Sequence, residues 1–140
     1  MISFHNQDSA FNLKNKKKVK AWIVSTIEFK KRKAGDINFI FCSDEYLLSI
    51  NLQYLKHNTY TDIITFDYSK GDAQLPISGD IFISIDRVKE NAISFSKTFD
   101  EELSRIMIHG VLHLLGYKDK TKEAKAEMTK QENACLKKLA

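Results

Sequence analysis

Apolar residues in this chain of 140 residues recur with two different periods, and the two periods alternate along the sequence. Four short segments are rich in β-branched and aromatic residues and are predicted to be strands, at residues 2–4, 37–42, 61–66 and 79–85. Apolar spacing of three to four predicts helices over residues 19–27, 46–54, 88–95 and 100–115, and from about residue 122. Strands separated by helices predict an α/β fold, with a mixed four-stranded sheet covered by about five helices.

Length and composition favour a single domain over residues 1–140. Hydrophobic residues make up 43% and charged residues 29%, which is ordinary for a globular protein, and no repeat or linker divides the chain. No apolar run reaches the length of a membrane span, and the amino terminus lacks the layout of a signal peptide. We therefore expect a cytoplasmic protein with no membrane partner, whose cysteines, Cys42 and Cys135, are reduced and buried.

A set of metal-binding residue types lies near the end of the fourth predicted helix. His109 and His113 are four residues apart, so both imidazoles lie on one face of a helix. Gly116 is placed to end that helix, and Asp119 follows three residues later with a carboxylate. Two nitrogens and one oxygen, with a fourth position left to water, are a ligand set of catalytic zinc sites.

Each of these residues also has a simpler interpretation. Two histidines four apart occur by chance in many helices, and an aspartate after a helix can begin the next one. The complete spacing resembles the ligand frame of metzincin proteases, which predicts a metzincin-like metal helix. However, Gly110 stands where those enzymes carry a glutamate base, which argues against a protease.

Two groups of basic residues flank the first predicted helix. Lysines cluster at residues 14–20 and basic residues at residues 30–33, within a chain of net charge +4. Such a surface attracts phosphate backbones, although a solvated helix face has the same composition. Together with a hydrolytic metal, the basic surface favours a nucleic-acid substrate.

Four segments of the chain match motifs of one known family: Asn51-x-x-Tyr54 with the following Thr61-Asp-Ile-Ile-Thr-Phe66, Gly79-Asp80-Ile81, the segment from His109 to Asp119, and the tail from Glu123 to Met128. Through these segments the chain resembles the YbeY family of rRNA maturation factors across nearly its whole length. It implies a single-strand-specific, metal-dependent endoribonuclease that binds one Zn²⁺ ion. It also implies rRNA and ribosomal particles as partners, in processing of the 16S rRNA 3′ end and in ribosome quality control.

Two positions depart from the family pattern. The third metal-binding histidine of the family corresponds to Asp119, whose carboxylate oxygen is also an acceptable zinc donor. The metal ligands implied by the resemblance are therefore His109, His113 and Asp119, with His113 as a catalytic residue. The arginine that follows the family tyrosine is replaced by Leu55, so Lys56 or His57 is expected to supply substrate-binding charge.

The general base and the final function class stay open at this point. Glu102 lies two helical turns before His109, and Asp62 and Asp80 can steady a ligand imidazole or bind backbone groups at strand ends. Loss of the family arginine leaves room for a non-catalytic, ribosome-associated RNA-binding factor, and the ligand frame leaves a metalloprotease as a weaker alternative. The sequence predicts no oligomeric state.

Overall fold

Four strands form one mixed sheet within residues 1–70 and 72–139, which are the residues that the computed structural model describes. The strands are β1 (Ile2–Asn6), β2 (Ala34–Cys42), β3 (Ile63–Asp67) and β4 (Ile77–Ser84), in the order β1-β2-β4-β3. β2 runs parallel to both β1 and β4, whereas β3 pairs antiparallel with β4. The predicted mixed four-stranded sheet is therefore confirmed, and β3 forms one of its edges.

Five α-helices accompany the sheet over the same described residues. They are α1 (Lys16–Phe29), α2 (Asp44–Ile50), α3 (Ile85–Ser94), α4 (Phe99–Leu114) and α5 (Lys122–Leu139). A π-helical turn, Asn51–Leu55, continues α2. None of these helices is both long and apolar enough to span a membrane.

The two faces of the sheet bury side chains in separate clusters. Alternate residues of the central strands, such as Phe39 and Ile81, point to one face and pack with α1, α4 and α5 in the main core. The opposite face has a smaller cluster, in which Leu47 and Ile50 of α2 contact Ile64. The helix α4 thus lies against the sheet, where it brings its histidines close to the edge strand β3.

Two details differ from the sequence-based expectations. Tyr54, predicted to lie on the apolar face of its helix, is 58% exposed because the π-helical turn changes the direction of the side chains after Ile50. The helix α4 begins one residue earlier than predicted, at Phe99, and its N-cap is Thr98. The hydroxyl of Thr98 accepts a hydrogen bond from the backbone N–H of Glu101 at 3.1 Å, and the Glu101 carboxylate accepts one from the N–H of Thr98 at 2.9 Å.

Candidate metal centre

Three donor atoms meet at the carboxyl-terminal end of α4. The Nε2 atoms of His109 and His113 are 3.1 Å apart, and Oδ2 of Asp119 is 3.2 Å from each of them. Ligand atoms about 2.0–2.1 Å from a tetrahedral zinc ion lie roughly 3.3–3.4 Å from one another. The spacing of these three atoms is close to that of one face of a tetrahedral site, so the cluster could bind a metal ion.

A tight turn at the end of α4 brings Asp119 back to the histidines. The N–H of Tyr117 donates to the carbonyl of Leu112 at 3.0 Å, and the N–H of Gly116 donates to the carbonyl of His113 at 3.0 Å. These two bonds form a Schellman motif, which needs a left-handed residue, and Gly116 supplies it with φ of 103°. The predicted helix end at Gly116 is therefore confirmed, and it is the turn that brings the carboxylate to the imidazoles.

Gly110 lets α4 approach the sheet closely. A Cβ atom at this position would lie 2.9 Å from Cγ2 of Ile81 on β4 and 3.1 Å from Cδ1 of Ile63 on β3. Any larger side chain, including the glutamate that metzincins carry at this place, would displace the helix from the sheet. The absence of a side chain here is therefore a packing requirement of this fold.

Glu132 of α5 orients the imidazole of His109, a role that was not predicted from the sequence. Oε2 of Glu132 is 2.6 Å from Nδ1 of His109, which leaves Nε2 of that ring directed at the other two donor atoms. Oε1 of Glu132 accepts a hydrogen bond from Arg105 at 2.8 Å. Carboxylates in this position fix the tautomer and the orientation of histidine ligands. Its position in the sequence could have indicated this role, because Glu132 is a charged residue four positions after Met128 and therefore lies on the buried side of α5.

The charges around the site shift the pKa values of its three donors. Burial disfavours the charged form of His109, but the hydrogen bond and the charge of Glu132 outweigh it, so the pKa of His109 is raised. Burial, together with the charge of His109, lowers the pKa of His113. Burial opposes ionisation of Asp119, but the two histidines outweigh it and lower its pKa. His113 is thus neutral and Asp119 ionised at neutral pH, as metal ligands must be.

The three donor atoms lie in a cleft of about 880 Å³ between α4, α5, the edge strand β3 and the segment that precedes it. Leu55 and His57 contribute to the wall of this cleft, whereas Lys56 is exposed and is not one of the described residues that line it. Arg105 and Lys120 also line the cleft and supply positive charge that the sequence analysis did not assign. The assignment of Lys56 and His57 to substrate binding, and of His113 to catalysis, stays a prediction.

Asp62 and Glu102, two of the carboxyl groups considered from the sequence, lie in the same cleft, whereas Asp80 does not. Burial raises the pKa of Asp62 and of Glu102. Asp62 accepts a hydrogen bond from Asn91 at 3.2 Å, and no hydrogen bond joins it to a ligand imidazole among the described residues. Asp80 instead accepts hydrogen bonds from Asn38 and Tyr68 and is not one of the described cleft residues. The carboxylate that contacts the His109 imidazole is therefore Glu132, and not Asp62 or Asp80 as the sequence had suggested.

The chain is similar to known proteins along nearly its whole length. A family model described as Endoribonuclease YbeY matches residues 1–140. A protein of Flavobacterium psychrophilum named endoribonuclease YbeY is 50% identical over 137 residues, which cover 98% of this chain and 95% of that one. A relative of the same name from Parabacteroides distasonis is 47% identical over 135 residues, covering 96% and 93% of the two chains.

A solved structure gives the same answer for the fold. The solution structure of TM1509 from Thermotoga maritima superposes with a TM-score of 0.66 at 27% sequence identity, over 99% of this chain and 91% of that one. With the family model matched from end to end and relatives near half identity, this chain belongs to the endoribonuclease YbeY family.

Proposed function

We propose that this protein is a zinc-dependent, single-strand-specific endoribonuclease that acts in the cytoplasm on rRNA and ribosomal particles. In this proposal it processes the 3′ end of 16S rRNA and takes part in ribosome quality control. The observation that carries the proposal is the triangle of His109, His113 and Asp119 donor atoms, set in a large cleft of a chain from an endoribonuclease family.

The residues of the cleft divide into three roles. His109, His113 and Asp119 would hold one zinc ion, which when bound would supply an acidified water and polarise a phosphoryl oxygen. Glu132 keeps Nε2 of His109 directed at that position by accepting the hydrogen bond from Nδ1. In this scheme His113 is assigned as a catalytic residue, which acts through the ion that it would hold together with His109 and Asp119.

Proton transfer falls to the carboxyl groups that line the cleft. Burial raises the pKa of Glu102, and partial burial raises that of Asp62, so both hold protons more firmly than ordinary carboxyl groups. A carboxyl group with a raised pKa is suited to take a proton from the attacking water and return it to the leaving oxygen. Asp62 and Glu102 line the same cleft as the triad of donor residues, and Glu102 lies two turns before His109 along α4.

Cationic side chains would position the RNA backbone. Lys120 is exposed at the cleft, close in sequence to Asp119, and His57 lies in the wall that carries Leu55. Lys56 is exposed next to that wall. Their attraction for phosphate depends on the salt concentration, so RNA affinity should fall steeply as salt is added.

The test is cleavage of precursor rRNA by the purified protein, with and without a chelator and with zinc restored. We expect cleavage by the parent protein to stop with chelator, to return with zinc, and to be lost in His113→Ala. His5→Ala is the matched control, because His5 is an exposed histidine on β1 that interacts with Asn38 at 3.2 Å. Cleavage that survives in His113→Ala, or in excess chelator, would disprove the proposed mechanism.

The main alternative is a non-catalytic RNA-binding factor that carries a metal. It draws support from Leu55, which occupies the cleft wall at the place where the family motif has an arginine. Asp119→Ala separates the two functions. If this variant loses zinc but keeps its RNA affinity, and the parent cleaves no RNA with zinc present, the protein is a binding factor.

A metalloprotease is the weakest of the three alternatives. Gly110 occupies the position of the glutamate base in that ligand frame, and contact with Ile81 leaves no room for a side chain there. Release of peptide fragments from unfolded protein substrates by the parent, and not by His113→Ala, would reverse this ranking.

A further inference from the structure

An aromatic ring lies in the wall of the metal cleft. Tyr60 is the only phenylalanine, tyrosine or tryptophan among the described residues that line it. Tyr60 is 49% exposed and lies in the same cleft as Asp62 and the two histidines. A large apolar surface that stays accessible in a polar cleft is suited to binding a flat apolar group.

Two contacts to residues outside the described cleft lining restrain the ring of Tyr60. The hydroxyl of Tyr60 donates a hydrogen bond to Oε1 of Glu45 at 2.7 Å. The guanidinium carbon of Arg87 lies 5.5 Å from the ring centroid, and Arg87 is itself held by Asp44 at 2.8 Å. A ring held in this way loses little conformational freedom when a second ring stacks on it, so more of the stacking energy appears as affinity.

The surroundings of Tyr60 combine apolar and cationic groups. Leu55, which is 41% exposed, lies in the same cleft and extends its apolar surface. Lys120 contributes a positive charge to the cleft, where a phosphate would be attracted. An aromatic platform beside positive charge is the arrangement by which proteins bind single-stranded nucleic acid.

We propose that Tyr60 stacks on an unpaired nucleobase of the RNA strand that occupies the cleft. The proposal rests on the proposed function, since it assumes an RNA substrate, and it adds a subsite that selects unpaired nucleotides. A base within a duplex is already stacked on its neighbours and cannot reach the Tyr60 ring. The subsite would thus favour single-stranded over double-stranded RNA without reading a particular sequence.

The test is binding of a short fluorescent single-stranded RNA in the presence of chelator, with a gel to show that the RNA stays intact. Each stack between a base and an aromatic side chain contributes enough binding energy that its loss in Tyr60→Ala should weaken binding by roughly 5- to 150-fold. Tyr60→Phe keeps the ring but loses the hydrogen bond to Glu45, so it should bind much closer to the parent than Tyr60→Ala does. Tyr68→Ala is the matched control, because Tyr68 is 57% exposed and is not one of the described cleft residues.

A second arm uses RNAs in which one nucleotide after another lacks its base. We expect one abasic position to weaken binding to the parent and to make no further difference to Tyr60→Ala, whose folding is checked by thermal unfolding. Equal affinity of Tyr60→Ala and the parent, equal losses in Tyr68→Ala, or indifference of the parent to every abasic position would each overturn the stacking subsite. These results would leave the nuclease proposal standing as long as metal-dependent cleavage persists, and absence of both RNA binding and metal-dependent cleavage by the parent would overturn both proposals.

Discussion

Replacing Glu132 by glutamine should weaken zinc binding without unfolding the protein. Glu132 is 7% exposed, and its two oxygens contact Nδ1 of His109 at 2.6 Å and Arg105 at 2.8 Å. Glutamine keeps the size of the side chain and one acceptor oxygen, but it loses the negative charge that strengthens the bond to the imidazole. The loss therefore falls on the orientation and basicity of one ligand, while the three donor atoms remain.

The size of this effect follows from the role of Glu132. Removing a carboxylate that supports a histidine ligand costs about 10- to 100-fold in metal affinity, which corresponds to about 1.4–2.7 kcal/mol. We expect Glu132→Gln to fall near the lower limit, because a neutral acceptor is kept, and Glu132→Ala near the upper limit. The pKa of His109 gives a qualitative check. Glu132 contributes most to raising this pKa, so the pKa should fall in both variants.

Zinc affinity can be measured by competition with a chromophoric chelator at constant pH. Glu127→Gln is the matched control, because Glu127 is an exposed glutamate on the same helix that accepts a hydrogen bond from Gln131 at 2.7 Å. Thermal unfolding of the metal-free variants shows whether the fold is retained. Parent-like zinc affinity in Glu132→Gln, or an equal loss in Glu127→Gln, would refute the role assigned to Glu132.

Two further substitutions test the packing and the electrostatics of the cleft. Gly110→Ala should lower the free energy of unfolding by about 1–3 kcal/mol, because its Cβ would lie 2.9 Å from Cγ2 of Ile81. Urea unfolding measures this change, and an unchanged unfolding midpoint would contradict the packing argument. Glu102→Gln should raise the thermal midpoint of the metal-free protein at pH 7 and leave it unchanged at pH 4. The folded state raises the pKa of Glu102 above the value of 4.5 that applies when it is unfolded, so this glutamate destabilises the fold only as pH rises above that value. A gain of equal size at both pH values would show that charge is not the cause.

Local patterns were sufficient for the elements and for the three donor residues of the candidate metal site. The spacing of apolar residues is set by the geometry of each element, so it located four strands and five helices from short segments. His109, His113 and Asp119 are close in the chain, and a helical turn plus a glycine turn is enough to bring their donor atoms within 3.2 Å. The exact start of α4 was not predicted, because Thr98 and Asp100 are both suitable N-cap residues and only the backbone geometry distinguishes them.

The sequence by itself determined the fold class, the triad and the glycine that ends α4, because each depends on residues that are neighbours along the chain. Tertiary structure alone decided that β4 lies between β2 and β3, that Glu132 of α5 supports His109, and that Tyr60 shares a cleft with the triad. These contacts join residues far apart in the chain, and they form only when the packing of α4 and α5 against the sheet brings separate elements together. A pattern along one element contains no information about which other element it will pack against, so such partners emerge only from the folded chain.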